Sequence, residues 1–476
     1  MALSRREFLA RGLGGSAALV VGSAAQKMPF LPHYASLSVQ TLNFHISDAI
    51  KDMVTHNAIN EAQCYFWVFK EERWPAEVPG PIILTTYRET IEITITNDLD
   101  EPHAFYIPGM FNSGPIQPGE TYKGSFQASK AGTFLYYDNL NEPVNRMMGL
   151  HGAFIVMPAA PQPGHKYTPY VVPTAAVQRL FDDFGSAPWW PGLAWEEGDH
   201  DTHTLAFRQY VWLLHQASPN LFAEVGELPP GEIYPGDQFM EAFLRDPFSP
   251  TGDNRIPQYY TINGQSGHFA HNSPHLCPNN RVGEPVIIRV LNAGLWTHSI
   301  HIHGNHVYLL ALNGAVQKNA LWVDTFTARP MDTFDWAVPF MRPPDIPNER
   351  GIGRADPGLP TTGGGTTWPP NEELALFIPA IGDRMGLDLA GEPIDLSVQL
   401  SPLCYPMHDH SEPTQTSQGG NYNCGLVSGI DFTGDRNTPS GVTTFPIGSE
   451  HEGHGPEATG PAAPPIGEYP QGTAKW

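Results

Sequence analysis

Two short motifs, His301-Ile302-His303 and His408-Asp409-His410, set the chemistry open to this chain. Each lies in a run with the character of a strand, where residues i and i+2 point to the same side, so each presents two imidazoles on one face. If the two strands are neighbours, four imidazoles converge. Such a cluster either binds a cation or must find hydrogen-bond partners for four polar rings, and imidazole suits copper or zinc. With 20 histidines in 476 residues, chance alone supplies about one H-x-H pair, so placement carries the argument and the count does not. His298, three residues before His301, falls on the opposite face of its strand. The remaining histidines are weaker candidates. His200 and His203 share an acidic loop that makes an adventitious metal site at best, His306 reads as a packing or surface residue, and His451 and His454 lie in a polar tail.

The elements that must position these residues are short and β-rich. The 48 Pro and 47 Gly make up about a fifth of the chain, which argues against a helical bundle, while 41% hydrophobic residues suffice for a substantial core. Residues 81–97 alternate apolar with polar after Glu89, as a half-buried strand does, and β-rich runs recur at 103–108, 121–127, 132–137 and 150–157. These make one β-sandwich over 42–158. A Pro-rich stretch, 159–204, reads as a linker that includes Trp189-Trp190-Pro191-Gly192. Further strands are predicted at 206–214, 259–263, 285–291, 299–312, 332–338 and 404–408, which makes a second sandwich over 205–435 with long loops at 215–256 and 340–372. The tail, 446–476, is rich in Gly, Pro and Ala and reads as disordered. The expected class is all-β.

Residues 1–25 stand apart from the fold. Ser4-Arg5-Arg6-Glu7-Phe8-Leu9, then a small apolar run to Val21 and Ser23-Ala24-Ala25, read as a twin-arginine export signal, so the expected location is periplasmic or secreted. Beyond it no stretch of about 18 apolar residues occurs, and no membrane span is expected. The net charge of −23 argues against nucleic-acid or anionic-membrane partners. Cys64, Cys277, Cys404 and Cys424 allow three disulfide connectivities in an oxidising compartment; the 20-residue separation of Cys404 and Cys424 favours that pair and leaves Cys64 with Cys277, a free thiol being the other reading.

Several longer motifs resemble those of the multicopper oxidases of the cupredoxin superfamily. They are Gly114-Pro115-Ile116-Gln117-Pro118-Gly119-Glu120, Ala131-Gly132-Thr133-Phe134-Leu135-Tyr136-Tyr137-Asp138-Asn139 and Gly149-Leu150-His151-Gly152-Ala153-Phe154-Ile155-Val156 in the first half. In the second half they are Tyr260-Thr261-Ile262-Asn263-Gly264, His298-Ser299-Ile300-His301-Ile302-His303-Gly304 and Met407-His408-Asp409-His410, the last where the family has H-C-H. The resemblance covers about 42–435 and implies two cupredoxin-like Greek-key β-barrels, copper as cofactor, and a small-molecule substrate or dioxygen as partner. It also implies an oxidoreductase with a trinuclear copper centre held by eight histidines. Against that pattern the second half keeps both of its pairs. The first half reads His103-Ala104-Phe105 and Tyr137-Asp138-Asn139, so five of eight positions are histidine and fewer than four copper ions are expected per chain. His151 reads as structural. The cysteine of the blue copper site is replaced by Asp409, and no blue site is expected. His298 matches that site's first histidine, and with Asp409 it either holds a non-blue copper or zinc ion or forms a buried hydrogen-bonded pair. The expected metal residues are thus His301, His303, His408, His410, His103, His298 and Asp409. In a trimer, as in two-domain members of the family, a neighbour's first domain would face the site. The alternatives are a copper carrier without turnover and a metal-free interaction protein on the same fold.

Overall fold

A computed structural model of the protein describes residues 39–53, 62–183, 207–245, 259–267, 270, 276–281, 285–303, 305–339, 404–411, 414 and 425–434. The expected export signal, the 340–372 loop, the tail, Trp189-Trp190, His200, His203 and Cys424 lie outside these residues. Among the described residues the first half has nine strands: β1 (Val39–Met53), β2 (Ala62–Glu71), β3 (Ile83–Thr86), β4 (Thr90–Asn97), β5 (Tyr106–Ile107), β6 (Phe111–Asn112), β7 (Thr121–Gln127), β8 (Gly132–Tyr137) and β9 (His151–Met157). They form two sheets, ordered β2-β1-β4-β7 and β3-β9-β8-β5-β6. A single core that includes Phe44, Phe66, Ile91 and Ile93 from one sheet and Ile107, Tyr136 and Phe154 from the other joins the sheets face to face. In β4 the alternation read from sequence holds, with Ile91, Ile93 and Ile95 buried and Glu92 exposed. The run 81–97 is broken into β3 and β4 by a turn in which Arg88 takes a φ of 71°.

The second half repeats this plan. Its strands are β10 (Arg208–Ala217), β11 (Tyr259–Ile262), β12 (Asn279–Arg281), β13 (Val286–Asn292), β14 (His298–Ile302), β15 (Val307–Leu312), β16 (Ala315–Val323), β17 (Thr325–Ala328), β18 (Thr333–Val338), β19 (Cys404–Asp409) and β20 (Val427–Gly434). They form sheets β11-β10-β13-β18-β15-β16 and β12-β20-β19-β14-β17. The pairing senses match those of the first half. β1 is antiparallel to β2 and parallel to β4, as β10 is antiparallel to β11 and parallel to β13. β3 runs parallel to β9, as β12 does to β20. β15 and β16 are joined by Asn313-Gly314, both at positive φ, the two-residue hairpin turn that Asn-Gly favours.

The two sandwiches share a third apolar layer. Leu135, Ala153, Ile155 and Met157 on the outer face of β8 and β9 meet Val211, Leu213, Ile287 and Ala337 of β10, β13 and β18. That double coverage is why β9, β13 and β18 are buried at every residue and carry near-continuous apolar sequence. Helices fill two of the predicted irregular stretches: α1 (Ala175–Asp183) in the 159–204 segment, α2 (Pro219–Gly226) and α3 (Gly236–Phe243) in the 215–256 segment. Cys64 is buried in β2 as a free thiol, so it is not bridged to Cys277. Met147 and Met148 are core residues.

Candidate metal centre

The register between β14 and β19 assembles the site. His301 lies directly opposite His408, and ladder bonds run from His303 N–H to Pro406 O (2.9 Å) and from His410 N–H to Ser299 O (2.9 Å). Period-two geometry then puts all four imidazoles on the outer face of this pair while Ile300, Ile302 and Met407 point into the core. Ring centroids are separated by 4.9 Å for His301–His303, 4.9 Å for His303–His408, 5.0 Å for His301–His410 and 5.1 Å for His408–His410. His303 Nε2 and His408 Nε2 approach to 2.8 Å. Two nitrogens bound to one ion at about 2.0 Å each and at roughly right to tetrahedral angles stand roughly 2.8 to 3.4 Å apart, so this hydrogen-bonded pair lies at the short edge of the spacing that a shared cation requires. One nitrogen from each of His301, His303 and His408 lies within 4.8 Å of the others.

Two of the rings are also fixed in orientation by hydrogen bonds. His408 Nδ1–H donates to Asp409 O (3.0 Å) and His301 Nδ1–H to Asp324 O (2.9 Å), which leaves Nε2 of each as the lone-pair atom. Packing of the His303 ring against its neighbours, followed by repulsion from His408, His301 and His410, lowers its pKa to about 4. His408 is lowered in the same sense, chiefly by burial. Both are unprotonated at neutral pH, the form a metal requires. The donor set therefore fits copper or zinc. His408 is buried, whereas His303 and His410 are exposed, so the site opens to solvent on one side.

On the inner face, directly behind these ligands, lies a polar network. His298 Nδ1–H donates to Asp409 Oδ2 (2.7 Å), and Gln216 Nε2 donates to His298 Nε2 (2.7 Å). Thr414 Oγ1 also donates to Oδ2, while the backbone N–H of Ser299 (2.7 Å) and of Ser411 (3.3 Å) donate to Oδ1. Burial alone would raise the Asp409 pKa, but the hydrogen bonds and the His298 ring outweigh it and hold the carboxyl below its ordinary range. Both nitrogens of His298 and both oxygens of Asp409 are thus engaged. This is the hydrogen-bonded arrangement that one of the two sequence readings describes. Gln216, Ser299, Thr414 and Asp324 have no role in the sequence reading; Ser299, inside the motif, and Thr414, a few residues past it, are the two with a positional signal.

The first half contains the same network. His103 Nδ1–H donates to Asp138 Oδ2 (2.7 Å), which also accepts from Asn145 Nδ2 (2.8 Å), and Tyr106 lies opposite Tyr137 in the ladder as His301 lies opposite His408. His103 precedes Tyr106 by three residues, as His298 precedes His301. This corrects the sequence-based alignment. His103 is the counterpart of His298, and the four outer-face positions are Tyr106, Pro108, Tyr137 and Asn139. The strand register, which the spacing His103-Ala104-Phe105 does not reveal, shifts the assignment. Four of eight positions are therefore histidine. His103 is fully buried against Trp67 and stands apart from the four-imidazole group.

A family model described as multicopper oxidase matches residues 74–161. A laccase, ustL, of Ustilaginoidea virens is 31% identical over 93 residues, which cover 17% of this chain and 14% of that protein; the chain thus spans about a seventh of the curated relative's length. Among solved structures, a blue copper oxidase from Nitrosomonas europaea aligns at 17% identity over 83% of this chain and 86% of that one, with a TM-score of 0.50. A multicopper oxidase, mgLAC, aligns at 15% identity over 83% of this chain and 86% of that one, with a TM-score of 0.48. The cupredoxin-like fold and the multicopper oxidase resemblance read from the motifs are both present in this chain.

Proposed function

We propose that this chain, which carries a multicopper oxidase domain over residues 74–161, is a copper-dependent oxidoreductase whose metal is held by His301, His303, His408 and His410. The observation that carries the proposal is the 2.8 Å approach of His303 Nε2 and His408 Nε2, with His301 and His410 on the same face. Bound copper would supply a redox-active Lewis acid with a position open to dioxygen or a small substrate. The protein's own residues keep His303 and His408 unprotonated, fix the tautomers of His301 and His408 through Asp324 O and Asp409 O, and leave the outer side accessible. With Asp409 in place of a thiolate, the position between His408 and His410 lacks the donor a blue site needs, so the reductant must reach the four-imidazole site directly. Fewer than four ions per chain are expected. Function outside the cytoplasm, after twin-arginine export, accords with the N-terminal motif. Among the described residues no helix is long and apolar enough to cross a membrane.

The test is elemental analysis with electron paramagnetic resonance on protein exported through its own signal in copper-supplemented cells, alongside His301→Ala/His408→Ala. The expected outcome is about one copper per chain with a non-blue signal that the double variant loses, and dioxygen consumption with a small reductant that is lost with it. Metal at background in both proteins would refute the proposal. The exposure of His303 and His410 also favours a copper carrier, which would show the metal and its signal without any dioxygen consumption.

A further inference from the structure

We infer that Asp409 is a positioning residue for the four-imidazole site, holding the two ligand-bearing strands in register from the inner face. The inference rests on the metal-binding reading above. Asp409 stands between His408 and His410, and its side chain turns to the opposite side of β19. There its carboxylate gathers His298 Nδ1–H and Ser299 N–H, both on β14, together with Ser411 N–H and the Thr414 hydroxyl beyond β19. One side chain therefore fastens the strand bearing His301 and His303 to the strand bearing His408 and His410, directly behind the rings. The same residue's carbonyl accepts His408 Nδ1–H and so sets which nitrogen of that ring faces outward. At the end of the β14–β19 pair near His410, the ladder supplies the bond from His410 N–H to Ser299 O, and the carboxylate reinforces it at Ser299.

The first half supplies an internal control. Asp138 fastens His103 in the corresponding place, but the residues on the outer face there are Tyr106 and Tyr137, without imidazoles. Loss of either carboxylate uncovers a buried histidine and costs stability; only loss of Asp409 displaces metal ligands.

The experiment compares full-length wild type, Asp409→Ala, Asp409→Asn, Thr414→Val and Asp138→Ala. It measures copper affinity by chelator competition, the Cu(II) paramagnetic resonance spectrum, and the urea midpoint. The expected result is a drop in copper affinity of about 10- to 100-fold in Asp409→Ala with a broadened or shifted spectrum. Asp409→Asn and Thr414→Val should show smaller changes in the same direction. Asp138→Ala should lose a comparable amount of stability while keeping the wild-type affinity and spectrum. If Asp409→Ala fails to fold, the folded Asn and Val variants carry the same comparison. Wild-type affinity and spectrum in the folded Asp409 and Thr414 variants would overturn the inference and leave the network purely structural. Failure of the wild type itself to bind copper would instead overturn the metal-binding reading beneath it.

Discussion

Acidification should weaken the contact between the two sandwiches through His151. This side chain, on β9, is fully buried, its ring lies 4.3 Å from that of His215 on β10, and its Nδ1–H donates to Arg146 O (2.9 Å). Nε2 is buried with no partner. A proton there would place an unsatisfied cation beside His215 and the Arg146 guanidinium, which itself donates to Ala293 O and Gly294 O across the contact. Burial, aided by repulsion from Arg146, accordingly lowers the His151 pKa from 6.5 to about 4. His215 is lowered in the same sense, chiefly by burial. Because the unfolded chain takes up this proton near its ordinary pKa and the folded chain does not, stability falls as pH drops through that interval. The loss begins near pH 6.5 and is complete near pH 4. A gap of about 2.5 pH units at ~1.36 kcal/mol per unit gives about 3 kcal/mol from His151 alone. The assay is the urea midpoint of copper-free protein at pH 7 and pH 4, for wild type and His151→Gln, whose amide stays neutral. The variant should lose about 3 kcal/mol less than wild type over this range. Equal losses in the two proteins would refute the argument.

Two further predictions follow from the packing and from the internal repeat. Asp335 accepts hydrogen bonds from Thr133 of the first half, Tyr170 of the intervening segment and Arg289 of β13, all buried. Arg289→Met should therefore destabilise by about 3–5 kcal/mol, with Arg289→Met/Asp335→Leu recovering most of it in urea titrations; a double variant as unstable as the single one would count against a desolvated ion pair. If Tyr106, Pro108, Tyr137 and Asn139 are the counterparts of the four ligands, changing all four to His should add about one copper per chain. That copper should persist in the His301→Ala/His408→Ala background, and a folded variant with unchanged copper content would refute the correspondence.

Local regularities carried much of the architecture. The alternation in Thr90–Asn97 and the largely apolar runs at β9, β13 and β18, broken by Arg289 and Asp335 in the last two, were legible because period-two sterics and burial act on neighbouring residues. The strands β1, β2, β6, β12, β16, β17 and β20 fall outside the runs that the sequence predicts. β1 mixes charged and polar residues along its length, and β16 is largely exposed, so neither has the contrast that marks a strand, although Asn313-Gly314 signalled the hairpin into β16. The helices at 219–226 and 236–243 lie in a stretch that the sequence marks as loop, because each spans only eight residues and shows too few turns of periodicity.

For the site, sequence alone determined that His301 and His303 share a face, that His408 and His410 share a face, and that Asp409 excludes a thiolate donor. All of this follows from residue type and the alternation of side chains along one strand. Only the tertiary structure decided that these strands are adjacent with His301 opposite His408, because pairing across more than a hundred residues of chain is set by the whole core and leaves no local trace. The same long-range register moved His103 from a ligand position to the counterpart of His298, and it brought Gln216, Ser299 and Thr414 around His298 and Asp409 on the inner face. Residue type named the donors, and strand pairing determined which of them meet.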